Sequence, residues 1–489
     1  MTDAARPVAD LLLTGGTVVA MDPERRIIPD GVVAVIGNRI SAVGSARELA
    51  GLPARQRIDC TGKLVLPGLI DAHGHAGHSL IKTMASDLPT LWMRIVTPGY
   101  QHFTTRDFWA ADGLLSAVDR LRHGVTCGVS VLGSVPRADD PEFGIRHARG
   151  YADVGIREVL CVGPGAPPWP NVVSRWDDGH RERREVSHEQ ALAGTEAVIQ
   201  ACDGTADGRI KVFVTPFTIV PSLNPSSPTP PELATGLTDF DREQSRRIRE
   251  LAARYRVRIH SDAFGGMIRL AAKDESALLG PDVHLQHCMG LSDEEVGILA
   301  DTGTNVGHAA GGPSPVTAML QAGITVAVTT DGASRRPFDL IQAARGVQAA
   351  LQLRTGDPWI LPVGKLLEMI TIDAARAMGL DGEIGSLEVG KKADIITVDM
   401  AQPHLTPGWM PVHRLIYQGS GSDVDTVIVD GTVLMSERRV LTVDAGEVVR
   451  NAAHESAEYL RRSGFDRFLT DPGWGRTRLE YDCAIDLPE

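Results

Sequence analysis

His73 and His75 stand one residue apart at the end of the apolar run Leu64-Val-Leu-Pro-Gly-Leu-Ile. Residues i and i+2 of a strand share a face, so both imidazoles can aim into one space at the strand's end. Two neutral imidazoles on one side suit a borderline metal ion such as Zn²⁺ or Fe²⁺. Such a pair needs further ligands from elsewhere in the chain. Residues of the right type recur downstream at His260, His287, His308 and Asp331. Each closes a short apolar run: Val257-Arg-Ile-His-Ser, Val283-His-Leu-Gln-His, Thr304-Asn-Val-Gly-His and Ile324-Thr-Val-Ala-Val-Thr-Thr-Asp.

These runs belong to a longer series. With the run from Leu64, and with Gly124-Val-Thr-Cys-Gly-Val-Ser-Val-Leu, Gly155-Ile-Arg-Glu-Val-Leu-Cys-Val and Ile210-Lys-Val-Phe-Val-Thr, they make eight. Strand text alternating with helical text implies an α/β fold with a parallel sheet, and eight repeats predict a closed (β/α)₈ TIM barrel. Chemistry in such barrels gathers at the C-terminal ends of the strands, where all six ligand-type residues fall. The barrel is expected over residues 64–390. Residues 1–63 and 391–445 carry β-branched runs broken by Gly and Asn, with a hairpin signal at Asp430-Gly431. They predict a second, smaller β-sandwich-like domain formed by both chain termini. Residues 446–463 read as an amphipathic helix, followed by an irregular tail to 489 that holds Trp474, Tyr481 and Cys483.

Two loops are candidates for substrate contacts. Residues 216–233 follow the fourth run and are too rich in proline for helix or interior strand. Residues 164–180 follow the third. Phe217, Trp169 and, at the seventh strand end, His308 are the candidate substrate-binding residues. The competing reading of 216–233 is an exposed linker. His78, His102 and His284 are not expected to be ligands; His284 lies three residues before His287 on one strand, so the two point oppositely.

The chain has 489 residues, a net charge of −13 and six scattered cysteines. The acidic balance argues against nucleic acid or an anionic membrane as partner. No apolar run approaches the ~18 residues of a membrane span, and the start has no secretory pattern. Cys60, Cys127, Cys161, Cys202, Cys288 and Cys483 lack Cys-x-x-Cys spacing, so reduced thiols in a cytoplasmic protein are expected.

The stretches Leu66-Pro-Gly-Leu-Ile-Asp-Ala-His73-Gly-His75, Leu285-Gln-His287-Cys, Thr329-Thr-Asp331-Gly and Asp381-Gly-Glu-Ile-Gly-Ser-Leu-Glu-Val-Gly-Lys-Lys-Ala-Asp resemble the amidohydrolase superfamily. The resemblance is to its triazine-hydrolase and amino-heterocycle-deaminase (chlorohydrolase-like) branch, over about residues 10–445. It implies that His73, His75, His260 and Asp331 hold one divalent metal ion, zinc first among zinc, iron, cobalt and manganese. It implies that His287 touches the reacting water or the substrate. It also implies a homo-oligomer, dimer or tetramer, acting on a small molecule. The chain departs from the pattern twice. The deaminases' glutamate three residues after the strand-five histidine is Ala263 here, with Asp262 the nearest carboxylate, and His308-Ala-Ala-Gly-Gly-Pro-Ser replaces a His-x-Pro-x-Ser-Asn motif. Some relatives bridge two metals with a strand-four lysine, but Lys211 opens its strand and lies at the wrong end.

The implied chemistry is hydrolysis. A divalent ion lowers the pKa of water from about 16 towards ~7. Asp331 then accepts a proton, His287 polarises the forming oxyanion, and Asp331 or Asp262 returns a proton to the leaving nitrogen. Asp262 has an alternative reading as the cap of the next helix. The missing glutamate leans the expected substrate towards a urea, a carbamate or thiocarbamate, or an amide. The alternative is an aminohydrolase releasing ammonia from an amino-substituted heterocycle. An alternative of another class is a catalytically dead structural or interaction homologue.

Overall fold

The computed structural model describes residues 7–87, 92–177, 179–224, 230–275, 277–332, 334, 336–469 and 472–478. Eight strand positions form one parallel sheet: β1 (Leu69–Asp71), β2 (Val125–Leu132), β3 (Arg157–Val162), β4 (Ile210–Val214), β5 (Ile259–Phe264), β6 (Val283–Met289), β7 (Asn305–His308) and β8 (Val326–Val328). They pair in chain order from β1 to β8. The sheet curls until its ends meet. Asp331 N donates to His73 O at 3.1 Å, and Thr330 N donates to Asp71 Oδ1 at 3.0 Å. The result is the (β/α)₈ barrel expected, nearly closed by hydrogen bonds and shut at its seam by side chains.

The helices between strands begin where the sequence can cap them. Capping boxes at Ser187/Gln190, Thr238/Asp241 and Ser292/Glu295 start His188–Cys202, Asp239–Tyr255 and Asp293–Thr302. In each, the hydroxyl and the acid or amide satisfy backbone N–H groups that have no partner in the first turn.

The chain ends supply a second sheet. Lys63–Pro67 lies between Ala9–Val19 and Ile395–Asp399, and Val424–Val429 with Thr432–Ser436 extends it. The hairpin at Asp430-Gly431 forms with both residues at positive φ, 52° and 77°, as a tight two-residue turn requires. So the apolar run at 64–70 is not one strand but two, in different sheets. Pro67 pairs with Ile395 in the terminal sheet, whereas Leu69 pairs with Val125 in the barrel. Gly68 makes the crossing. Its N–H donates to Asp394 O at 3.0 Å, and any Cβ there would collide with the Thr126 side chain. Both sheets bury this segment on both faces, so the apolar text does not change where the chain changes sheets.

The helix Ala445–Ser463 crosses the outer barrel helix Arg106–Arg122 and buries Tyr459 beside Phe108, with ring centroids 5.3 Å apart. Phe465 and Phe468 are fully buried just beyond it. Tyr481 and Cys483 lie outside the described residues. The five described cysteines are free and buried. Among the described residues, no helix is long and apolar enough to cross a membrane.

Candidate metal centre and active site

β1 ends at Asp71, so His73 and His75 sit just past it, before His75–Ala76 rejoins the edge of β2 at Val131. Their convergence comes from this loop and not from strand alternation. The rings meet edge to face, 4.8 Å apart at 87°. His75 Nδ1 bonds Gly133 O at 2.9 Å, which places its proton on Nδ1 and leaves the Nε2 lone pair free. Asp331, just after β8, lies opposite. Its Oδ1 is 3.2 Å from His73 Nε2 and 3.5 Å from His75 Nε2.

His260, on β5, reaches this group from behind. Its Nε2 lies 2.8 Å from His73 Nδ1, and its Nδ1 lies 2.9 Å from Nδ1 of His284, which stacks on it. A chain of Nδ1–H donors from His73 to His260 to His284 satisfies both contacts and leaves His73 Nε2 as a bare lone pair. His260 therefore touches the cluster through His73 and does not face Asp331 directly.

The strand β5 persists through Phe264, so Asp262 shares a face with His260. Its carboxylate enters the same pocket, with Oδ2 3.8 Å from His287 Nε2. It caps nothing: the next helix starts at Met267 behind Gly266. Ala263 is fully buried away from the site. His287 Nε2 also lies 3.9 Å from Asp331 Oδ1, and its ring stacks on Phe264 at 5.6 Å and 16°. His287 and Asp331 both hold left-handed backbone, at φ 70° and 65°. Non-glycine residues there cost about 1–3 kcal/mol each, a strain that collects at functional sites.

The electrostatics keep His73, His260 and His284 neutral. Burial lowers the pKa of His73, and lowers His260 far below the usual imidazole value, helped by the neighbouring histidines. Burial likewise takes His284 to about 3. Burial disfavours charge on His75 too, but its contact with Asp331 and the charges of Asp331 and Asp262 outweigh this and raise it. Desolvation acts to raise Asp331, yet His287, His73 and His75 hold it well below the carboxylate range.

A cavity of about 520 Å³ opens over the cluster. Its floor is His75, Asp262, His287 and Asp331, and its walls include Trp92, Met93, Phe217, Phe264 and Met289. Phe217 thus lines the pocket. Trp169 does not: it rings against His188 at 5.3 Å and borders a separate small cavity with Arg137 and Val173. The loop after β3 folds into its own hairpin, Asn171–Asp177 with His180–Val186, which draws Trp169 aside. His308 is 1% exposed and packs against the His287 backbone, so it supports the floor without lining it. His78 lines the pocket and bonds Ser134 Oγ at 2.9 Å. Lys211 lies at the other end of the barrel, in a cavity of about 340 Å³ with Arg157 and Arg209.

Sequence reasoning did not find Trp92, Met93, Phe264, Met289 or Arg336 in the pocket lining. Phe264, four residues past His260 on a persisting strand, carried a usable signal. Arg336 sits on the segment after β8 and Trp92 opens the helix Trp92–Phe103, and neither carried a signal. Residues 225–229 of the 216–233 loop lie outside the described residues.

The donor set fits a divalent ion. His73 Nε2 is buried without a hydrogen-bond partner. Among the described residues, Asp262 and Asp331 form ion pairs only with histidines. The buried carboxylate of Asp262 and the partly exposed one of Asp331 face only imidazoles, and imidazole with carboxylate suits zinc-like metals.

A barrel with histidines and an aspartate at its carboxyl mouth defines a metal-dependent hydrolase. The amidohydrolase family profile matches residues 238–434. The chain is 34% identical over 438 residues to the 5-methylthioadenosine/S-adenosylhomocysteine deaminase of Desulforudis audaxviator, covering 86% of this chain and 93% of that protein. It superposes on an adenosine deaminase from Xanthomonas campestris with bound zinc, at TM-score 0.78, 21% identity and 93% and 100% coverage. It also superposes on the zinc complex of the Arthrobacter aurescens atrazine chlorohydrolase, at TM-score 0.71, 23% identity and 91% and 100% coverage. The chain belongs to the amidohydrolase family and is a hydrolase of non-peptide carbon–nitrogen bonds.

Proposed function

We propose that the protein is a zinc-dependent aminohydrolase that releases ammonia from an adenosine-type aminopurine nucleoside. The observation that carries this is Asp262, a carboxylate on the pocket floor 3.8 Å from His287 Nε2. It can do the work of the glutamate missing at position 263. The lean towards ureas, carbamates and amides rested on that missing acid, and it weakens once Asp262 supplies one. The deaminase relative at 34% identity supports the same reading. The converged His73, His75 and Asp331 weigh against a catalytically dead homologue.

His73, His75 and Asp331 would hold the ion, and His260 Nε2, 2.8 Å from His73 Nδ1, would hold His73 in its Nδ1–H tautomer behind them. When bound, it acidifies water and polarises the reacting carbon. The chain's own groups handle the protons. Asp331 Oδ1 takes one proton from the attacking water. His287 Nε2 faces the oxygen that becomes negative as the C–O bond forms, a contact worth about 3 kcal/mol. Asp262 Oδ2 takes the second water proton, from the oxygen now bonded to carbon, and delivers it to the amino nitrogen; the C–N bond breaks and ammonia leaves. The remaining proton rests on the ring nitrogen of the oxo product. Phe264, Phe217 and Trp92 supply apolar walls for a flat ring.

The test is substrate loss together with ammonia release across a panel of adenosine-type nucleosides, aminopyrimidines, aminotriazines, phenylureas and thiocarbamates. Turnover of the nucleosides is expected. Turnover confined to ureas or thiocarbamates would reverse the assignment.

A further inference from the structure

We propose that His284 and Gln286 are positioning residues: they set the direction in which three linked imidazoles share their protons, and so leave His73 Nε2 as the lone pair that meets the ion. The proposal rests on the reading that His73, His75 and Asp331 hold that ion. Neither His284 nor Gln286 lines the pocket.

The contacts run from His73 Nδ1 to His260 Nε2 at 2.8 Å, and from His260 Nδ1 to His284 Nδ1 at 2.9 Å. All three rings are neutral, so each has one N–H and one lone pair. Such a chain has two directions. In one, His73 donates to His260, His260 donates to His284, and His284 keeps its proton on Nε2. In the other, every proton sits on the opposite nitrogen, and His73 turns an N–H towards Asp331 Oδ1, 3.2 Å away. Only the first direction leaves His73 Nε2 able to coordinate.

The far end of the chain chooses between them. His284 and Gln286 share a face of β6, where they pair with His260 and Asp262 of β5. His284 Nε2 and Gln286 Oε1 are both buried without a hydrogen-bond partner. They converge over the bare backbone of Gly307, which pairs with Gln286. A Cβ there would stand 2.9 Å from the first atom and 2.2 Å from the second. Gln286 Nε2 is already engaged, donating to Thr329 Oγ1 at 3.0 Å, so the amide oxygen is the atom left to His284. A proton on His284 Nε2 therefore meets an acceptor. In the reversed chain two buried acceptors meet instead, which is the costlier arrangement.

The test uses the full chain with nitrogen-15 histidine, as the zinc holoenzyme and after zinc removal. Nitrogen NMR of the metal-free chain reads which ring nitrogen of His73 carries the proton, with His73→Asn identifying its signals. Competition with a chelator gives the zinc affinity. Wild type should show His73 protonated on Nδ1. Gln286→Leu, and His284→Phe, which keeps a ring against His260, should move that proton to Nε2 and lower zinc affinity by about 10–100-fold. His284→Asn, whose amide returns an acceptor near the Nδ1 position, should recover most of both. If His284→Phe does not fold, Gln286→Leu carries the same two readings. A metal-free wild type with His73 protonated on Nε2 overturns the proposal. So does zinc loss in the variants without a change in protonation, which would mark a merely structural role. A wild type that binds no zinc while His73 keeps its Nδ1 proton would instead bring down the first-site reading, and with it the link from these residues to the ion.

Discussion

Asp71 accepts two hydrogen bonds from Thr330 across the barrel seam, from the backbone N at 3.0 Å and from Oγ1 at 2.7 Å. Arg120, fully buried, adds a third contact to the same carboxylate at 3.2 Å. Thr330 immediately precedes Asp331, whose own N–H binds His73 O. One buried carboxylate therefore ties β1 to the residue that must hold Asp331 in its left-handed conformation. Thr330→Val keeps the shape but removes the hydroxyl donor. It should cost about 1–3 kcal/mol in urea unfolding and weaken metal retention in dialysis against a chelator. Unchanged stability and metal content would mean that the seam does not position Asp331.

The two histidines of the central strands should separate by phenotype. His260→Ala should lose metal and activity together. His287→Ala should keep its metal but lose rate, by about 10²–10³-fold if it serves the oxyanion. Metal content against turnover decides this, and full metal content in His260→Ala would show that His260 does not orient His73 towards the ion.

Asp262→Ala should slow turnover by about 10²–10⁴-fold, the range for a lost general acid. Bound substrate should remain measurable, because the apolar walls are untouched. A near-normal kcat would take Asp262 out of proton transfer and restore weight to the urea and carbamate reading.

His147 offers a stability test away from the site. It is fully buried, with Nδ1 2.9 Å from Glu158 Oε1 and Nε2 3.2 Å from Asp112 Oδ2. Burial lowers its pKa, but Glu158 and Asp112 outweigh that and raise it to about 9. The folded value lies above the unfolded value of about 6.5, so the folded state holds the proton more tightly. This contribution is complete below pH ~6.5 and is lost as pH rises through about 9. Asp112 also accepts from Gly77 N at 2.6 Å and Ser79 N at 3.1 Å, just after His75. The urea midpoint of wild type should fall over pH 6.5 to 10 more steeply than that of His147→Gln. Parallel slopes would show that His147 does not carry the proton.

Much of the site was readable along the chain. Ligand-type residues at matching strand ends are a local pattern, so His73, His75, His260, His287 and Asp331 could be found from spacing alone. The barrel was legible for the same reason, since strand and helix periodicities are set by neighbours in sequence. The Asp-Gly hairpin followed from backbone freedom at two residues.

Other features depended on contacts between distant segments. The run at 64–70 divides between two sheets because Gly68 lets Thr126 approach, and no local periodicity marks that point. Trp169 left the pocket because its loop found a hairpin partner instead. Asp262 entered it only because β5 continues through Phe264, pinned by the Phe217–Ile219 segment. The amino-acid order by itself determined which side chains could do the chemistry and the repeating strand–helix frame that carries them, because both rest on short-range periodicity and residue type. Tertiary structure alone decided which of them share one space, since His73 and Asp331 are 258 positions apart and meet at 3.2 Å only when the sheet closes on itself.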